Sequence, residues 1–206
     1  FIRVVYGTRV SLGVGFFASL IVLVIGITMG SIAGYCGGKV DMFIMRLVDI
    51  FYCIPSMPIL IIIGSMLDAL RLEPYVRLMW LMAVLGFLGW ASIARLVRGQ
   101  ILSLRDQDFM VATEATGLPV RRRIFRHLIP NVMPQLIVQM SLSLGSMILY
   151  EATLSYLNMG IKAPYTAWGS MINIITTNQD ILQNYPNVWV PAGVCIVIAV
   201  LGFNFV

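Results

Sequence analysis

Long apolar runs alternate with short polar breaks along this chain, and the first of them, Leu12 to Ala33, contains no charged residue at all. At 1.5 Å per residue a helix of that length crosses a hydrocarbon core of about 30 Å. Comparable runs recur, so the pattern predicts spans over 10–34, 43–67, 78–98, 131–150 and 188–206. Gly37 and Gly38 supply the turn after the first span. Pro55 and Pro58 are expected to kink or interrupt the second, which is tolerable where neighbouring helices re-satisfy the backbone. Residues 68–77 read as a polar loop, and 151–187 as a long external segment containing Trp168, Asn173, Asn178 and Asp180. The expected fold class is all-α: one polytopic transmembrane helical bundle.

Two side-chain patterns lie inside the spans. Gly26, Gly30 and Gly34 recur every four residues on one helical face, the arrangement that lets another helix approach closely. Gln135, Gln139, Ser143, Ser146 and Tyr150 share a face of the fourth span. Polar groups in a bilayer need partners, so this stripe either bonds to neighbouring helices or lines a wet pathway. Arg46 and Asp49 stand one turn apart near the start of the second span, where an isolated charge is costly, and are expected to pair with each other.

The interval 105–130 interrupts this apolar sequence. Asp106 and Asp108 favour a helix start through the dipole, and Gly117 followed by Pro119 is a stop signal, so a short helix is expected from about Gln107 to Thr116. Pro119 then opens a second helix bearing Arg121, Arg122, Arg123 and Arg126, expected to end before Pro130 because the residue ahead of a proline avoids the α region. Asn131 would cap the fourth span, with Pro134 in its first turn. Two helices of roughly ten residues, about 15 Å each, cannot cross a membrane and must lie at its surface.

Composition agrees with a membrane protein. Of 206 residues 59% are hydrophobic and 11% charged, against roughly 25% charged in soluble domains, and mean hydropathy is +0.91. The net charge of +5 comes largely from arginines beside the spans, which places the 105–130 loop in the cytoplasm and removes the motive for nucleic-acid binding. Cys36, Cys53 and Cys195 have no paired or metal-ligand spacing and read as small, mostly buried residues. His127, the one histidine, lies in the basic loop with no nucleophile at a related spacing, which argues against an intramembrane enzyme.

Gly117, Ile124, His127, Leu128, Ile129 and Pro130 together resemble the EAA loop of binding-protein-dependent ABC importer permeases, with Pro130 thirteen residues after Gly117 as that pattern requires. The EAA positions fall on Val111, Ala112 and Thr113, so the glutamate of the pattern is absent there and Glu114 stands three positions late. GYCGGKVDMFIMRLVDIFYCIPS before the loop and EATLSYLNMGIKAPYTAWGSMI after it resemble the C-type permease subunits of dipeptide and oligopeptide importers. The matching segments extend over nearly the whole chain. The resemblance implies a type I ABC importer permease in a bacterial or archaeal inner membrane, with five of an expected six spans seen here. It also implies coupling to ATPases through Val111, Ala112, Thr113, Glu114, Gly117, Arg121, Arg122 and Arg123.

Implied partners are a sister permease, two ATP-binding subunits, an external substrate-binding protein and the lipid bilayer. No cofactor is expected on this chain: GxxxxGK[ST] is absent, so ATP and Mg²⁺ would sit on the partner subunits. Nickel-chelate and glutathione importers share the C-type pattern and stay open as alternatives. A secondary transporter would need a coupling site within the bundle, for which only Arg46, Asp49 and Glu151 come near.

Overall fold

Ten α-helices account for most of the computed structural model, which describes residues 2–161 and 165–205; Phe1, Val206 and part of the second family-like segment, 162–164, lie outside the described residues. They are α1 (Ile2–Cys36), α2 (Gly38–Cys53), α3 (Ser56–Ala69), α4 (Pro74–Arg105), α5 (Asp108–Ala115), α6 (Val120–Arg122), α7 (Ile129–Tyr156), α8 (Trp168–Thr177), α9 (Gln179–Asn184) and α10 (Val190–Asn204). A π-helical turn, Arg123–Leu128, joins α6 to α7. Among the described residues there is no strand, as the apolar periodicity requires. By length and composition α1, α4 and the run Val120–Tyr156 are each able to cross a membrane, and α2 with α3 makes a fourth if the broken pair counts as one span. The break falls where the sequence places it: Ile54 is extended (φ −82°, ψ 116°) ahead of Pro55.

The chain forms two compact units, and α1, α4 and α7 contribute a segment to each. In the unit made of 21–55 and 87–140, α4 is the central helix. Against one side of it lies the glycine face of α1. A Cβ on Gly26 would stand 2.5 Å from the Cβ of Ile93, one on Gly30 2.5 Å from the carbonyl oxygen of Ala94, and one on Gly34 2.9 Å from that of Arg98. Any side chain there would force the helices apart, so the four-residue spacing is a packing device as the sequence implies. Helix α2 packs on α4 through Val48 against Trp90, Ala91 and Ala94, with Phe51 edge-on to Phe87 and Trp90.

Two ion pairs tie α2 to α4. Arg98 holds Asp41 in a two-point contact of 2.8 and 2.5 Å, and Arg95 donates to Asp49 at 2.6 Å. The partner of Asp49 is therefore Arg95, correcting the expectation of Arg46. Residues three apart on one helix are neighbours, but Arg95 arrives from the facing helix and also lays its guanidinium over the Tyr52 ring, 4.4 Å from the centroid.

The other unit comprises residues 1–20, 56–86 and 141–206. Its core gathers Ile148 of α7, Trp168 and Met171 of α8, and Ala192 and Ile196 of α10. Helix α7 continues six residues past the expected end at 150, and Glu151 is wholly buried in it. The carboxylate accepts hydroxyl bonds from Ser11 (2.9 Å) and Ser155 (2.7 Å), which meets the requirement that a buried polar group be bonded.

Arg77, expected in the 68–77 loop, lies in the first turns of α4 and is buried. It donates to the carbonyls of Met159 and Gly160 at 2.7 Å each and pairs with Asp68 at 2.8 Å. Arg77→Met removes one partner from this arrangement and strands the others, so a loss of about 3 kcal/mol is expected. Thermal unfolding in detergent reads it directly; a melting temperature equal to that of the wild type would refute the assignment. Outside the helices, the Tyr165 hydroxyl donates to Glu73 at 2.7 Å, and that bond raises the phenol's pKa.

Candidate functional site

The loop between α4 and α7 is built around two backbone decisions. Gln107 is extended and α5 begins at Asp108, whose carboxylate sits in the first turn beside the helix's positive end. The helix stops at Gly117, whose φ of +69° lies in the left-handed region. There the Gly117 amide donates to Glu114 and the Leu118 amide reaches back to Thr113 (2.9 and 3.4 Å), so this glycine closes the turn as the sequence anticipates. Within α5, Met110 is buried and anchors the helix, while Val111, Ala112 and Glu114 face outward and Thr113 is half-buried.

Beyond the turn the structure departs from expectation. The Pro119 carbonyl accepts the amides of Arg122 and Arg123, but the helix that follows does not end before Pro130. It widens into the π turn and runs on as α7. A proline lacks an amide, and its ring presses on the carbonyl four residues back. The wider turn carries the chain past this: the Ile129 amide bonds to Ile124, five residues behind. Asn131 is consequently not a cap. It lies inside the helix and its side-chain Nδ2 donates to the His127 carbonyl at 2.7 Å, while Pro134 falls in the helix interior.

The three consecutive arginines have different surroundings. Arg121 and Arg122 are exposed. Arg123 is 14% exposed, pairs with Glu114 at 3.3 Å and sits over the Tyr35 ring at 5.7 Å. Glu114 thus engages a charge inside the loop although the EAA glutamate position is held by Val111. Arg105 donates to the Tyr35 carbonyl (3.3 Å) and pairs with Asp106 (3.5 Å). Tyr35, Arg105, Asp106, Met110, Val111, Glu114 and Arg123 line a cavity of about 520 Å³. Sequence reasoning did not single out Tyr35. Its one signal is position, at the end of a span that parity puts on the same side as the loop.

The polar stripe on α7 is partly covered, beside a more exposed apolar side that carries Met133, Ile137, Val138, Leu142 and Leu149. Gln135 and Ser146 are exposed, and Gln139, Ser143 and Tyr150 are half-buried. Ser146 turns its hydroxyl back to Leu142 of the same helix, and among the described residues no bond joins Gln135 or Gln139 to another helix. His127 is half-buried in the π turn. Cys36 and Cys53, expected as buried, are exposed because each ends a helix; Cys195 is partly covered.

Comparison with known proteins follows the same lines. The chain is 35% identical to the oligopeptide transport system permease protein OppC of Bacillus subtilis, covering 100% of this chain and 64% of that one. It is 37% identical to the dipeptide transport system permease protein DppC of Alkalihalophilus pseudofirmus, again over 100% and 64%, and 35% identical to DppC of Lactococcus lactis over 99% and 56%. The chain therefore spans a little under two thirds of the length of these relatives. In fold it is similar to a chain of the inward-facing MetNI methionine ABC transporter, with a TM-score of 0.71 at 18% identity, over 100% of this chain and 93% of that one. The family model of the binding-protein-dependent transport system inner membrane component matches residues 26–206, and the chain belongs to that family.

Proposed function

We propose that this chain is a permease subunit of an ATP-driven importer, forming with a sister permease the pathway for di- and oligopeptides delivered by an external substrate-binding protein. The carrying observation is the loop: a short helix with Val111 and Ala112 outward, stopped at a left-handed glycine and tied by the Glu114–Arg123 pair to the π turn that runs on into α7. Such a helix presents a rigid surface to a partner, and any displacement of it is transmitted along α7. Two ATP-binding subunits supply the energy, since the sequence has no phosphate-binding loop of its own. The peptide class rests on the relatives' names, which favour it over nickel chelates and glutathione. Reconstitution with the ATPases and the receptor, followed by uptake of labelled peptides against nickel chelate and glutathione, tests the assignment.

The stripe supports a pathway on α7, because Gln139 is bonded to no other helix among the described residues. Gln139→Leu together with Ser143→Leu is expected to lower uptake by about tenfold, the effect of losing one or two hydrogen bonds to the moving solute. Assembly and basal ATP hydrolysis should persist. Loss of the assembled complex would instead make the stripe an interhelical contact.

A further inference from the structure

We propose that Asp49, Tyr52 and Arg95 form a peptide-end binding site on the pathway, Arg95 receiving a carboxylate and Asp49 an ammonium group. This rests on the import function above and names the chemistry by which the permease itself would hold its cargo. The Asp49 and Arg95 side chains are 52% and 51% exposed although they lie on α2 and α4, within runs able to span a membrane. Half-exposed charges on apolar helices are costly against lipid, so this face is turned to water, polar cargo or another subunit and not to hydrocarbon. An ion pair so exposed contributes little, and a competing ion can open it readily.

Three further observations point the same way. On α4, Ser92, Gly99 and Ser103 are exposed in register with Arg95, at three residues before it and four and eight after it, a small and partly polar surface with room for a ligand. Nothing stands within 4 Å of where a Cβ on Gly99 would be. Helix α2 stops at Cys53, one residue past Tyr52, so the negative end of its dipole lies beside Asp49 and favours a cation there. The second pair, Arg98–Asp41, is different: its two contacts are closed and its side chains are 33% and 16% exposed, which marks it as structural and makes it an internal control.

The test is uptake by the reconstituted complex with its ATPases and saturated receptor, comparing a labelled dipeptide with its N-acetylated and C-amidated forms. Arg95→Gln should lower the uptake rate of the unmodified peptide about tenfold, the effect of losing a charge-assisted bond, and abolish the preference over the amide. Asp49→Asn should do the same for the preference over the acetylated form. Reversing both charges, Asp49→Arg with Arg95→Asp, should fail to restore uptake, whereas the reversed Arg98–Asp41 pair should recover. Recovery by the first reversal, or unchanged preferences in the single variants, overturns the proposal. Should these variants not assemble, Tyr52→Cys in a chain whose native cysteines are serine gives an independent reading. A water-soluble methanethiosulfonate should label it, and millimolar dipeptide should slow the labelling; absence of protection overturns the site. Lack of uptake by the wild-type complex would instead refute the peptide-import function itself.

Discussion

On the proposed function, Gly117→Val is expected to leave the protein in the membrane with its ATPases attached, hydrolysing ATP, while peptide uptake per ATP falls about tenfold. The reason is the backbone. Gly117 has a φ of +69°, and no atom lies within 4 Å of where its Cβ would be, so a new side chain clashes with nothing inside the chain. What it meets is its own peptide: the left-handed conformation penalises an L-residue by roughly 1–2 kcal/mol, and a β-branched one is a true outlier. Each 1.4 kcal/mol is a factor of ten in an equilibrium constant, so the turn that sets α5 against the π turn is weakened about tenfold against its alternatives. Gly117→Ala should fall between the two. Uptake and phosphate release measured on the same vesicles give the ratio, and a normal ratio in the valine variant would remove this loop from the coupling path.

The second large effect concerns folding. Gly30→Val places a branched side chain where a Cβ alone is 2.5 Å from the Ala94 carbonyl and 2.8 Å from the Cβ of Val97. Neither is the flexible end of a side chain, so α1 and α4 must separate over several turns. Close packing is what holds helices together in lipid, and overpacking of this kind costs about 1–3 kcal/mol. Gly13→Val is the control for lost glycine, since nothing lies within 4 Å of its Cβ. The Gly30 variant should yield much less folded protein on detergent extraction while the Gly13 variant stays near wild type; equal yields would contradict the packing described here.

Both glycine features were legible in the sequence because each has a local cause: a four-residue period in one case, an αL stop in the other. The π turn was not. The rule that helices stop ahead of proline is local, whereas Ile124, Leu128, Val132 and Leu136 are all buried at intervals of four straight through Pro130. That continuous buried stripe favours an unbroken helix, and the backbone widens to admit the ring. Asp49 was misassigned for the same kind of reason. Periodicity identifies neighbours along one helix, Arg46 among them, but Arg95 comes within reach only once Val48 packs on Ala91 and Ala94. Glu151 was recognised as unusual, yet Ser11 stands 140 residues away and no spacing rule joins them. The charges and the Gly117–Pro119 break located the loop, but the bracing of Arg123 by Glu114 and Tyr35 emerges only from the fold.

The most direct test of ATP-driven peptide import is uptake of a labelled oligopeptide by proteoliposomes containing the complete complex. Uptake is predicted to require both ATP at the nucleotide-binding face and the substrate-binding protein on the other, and to be indifferent to proton or sodium gradients. Accumulation driven by an ion gradient without ATP would contradict it and identify a secondary transporter instead.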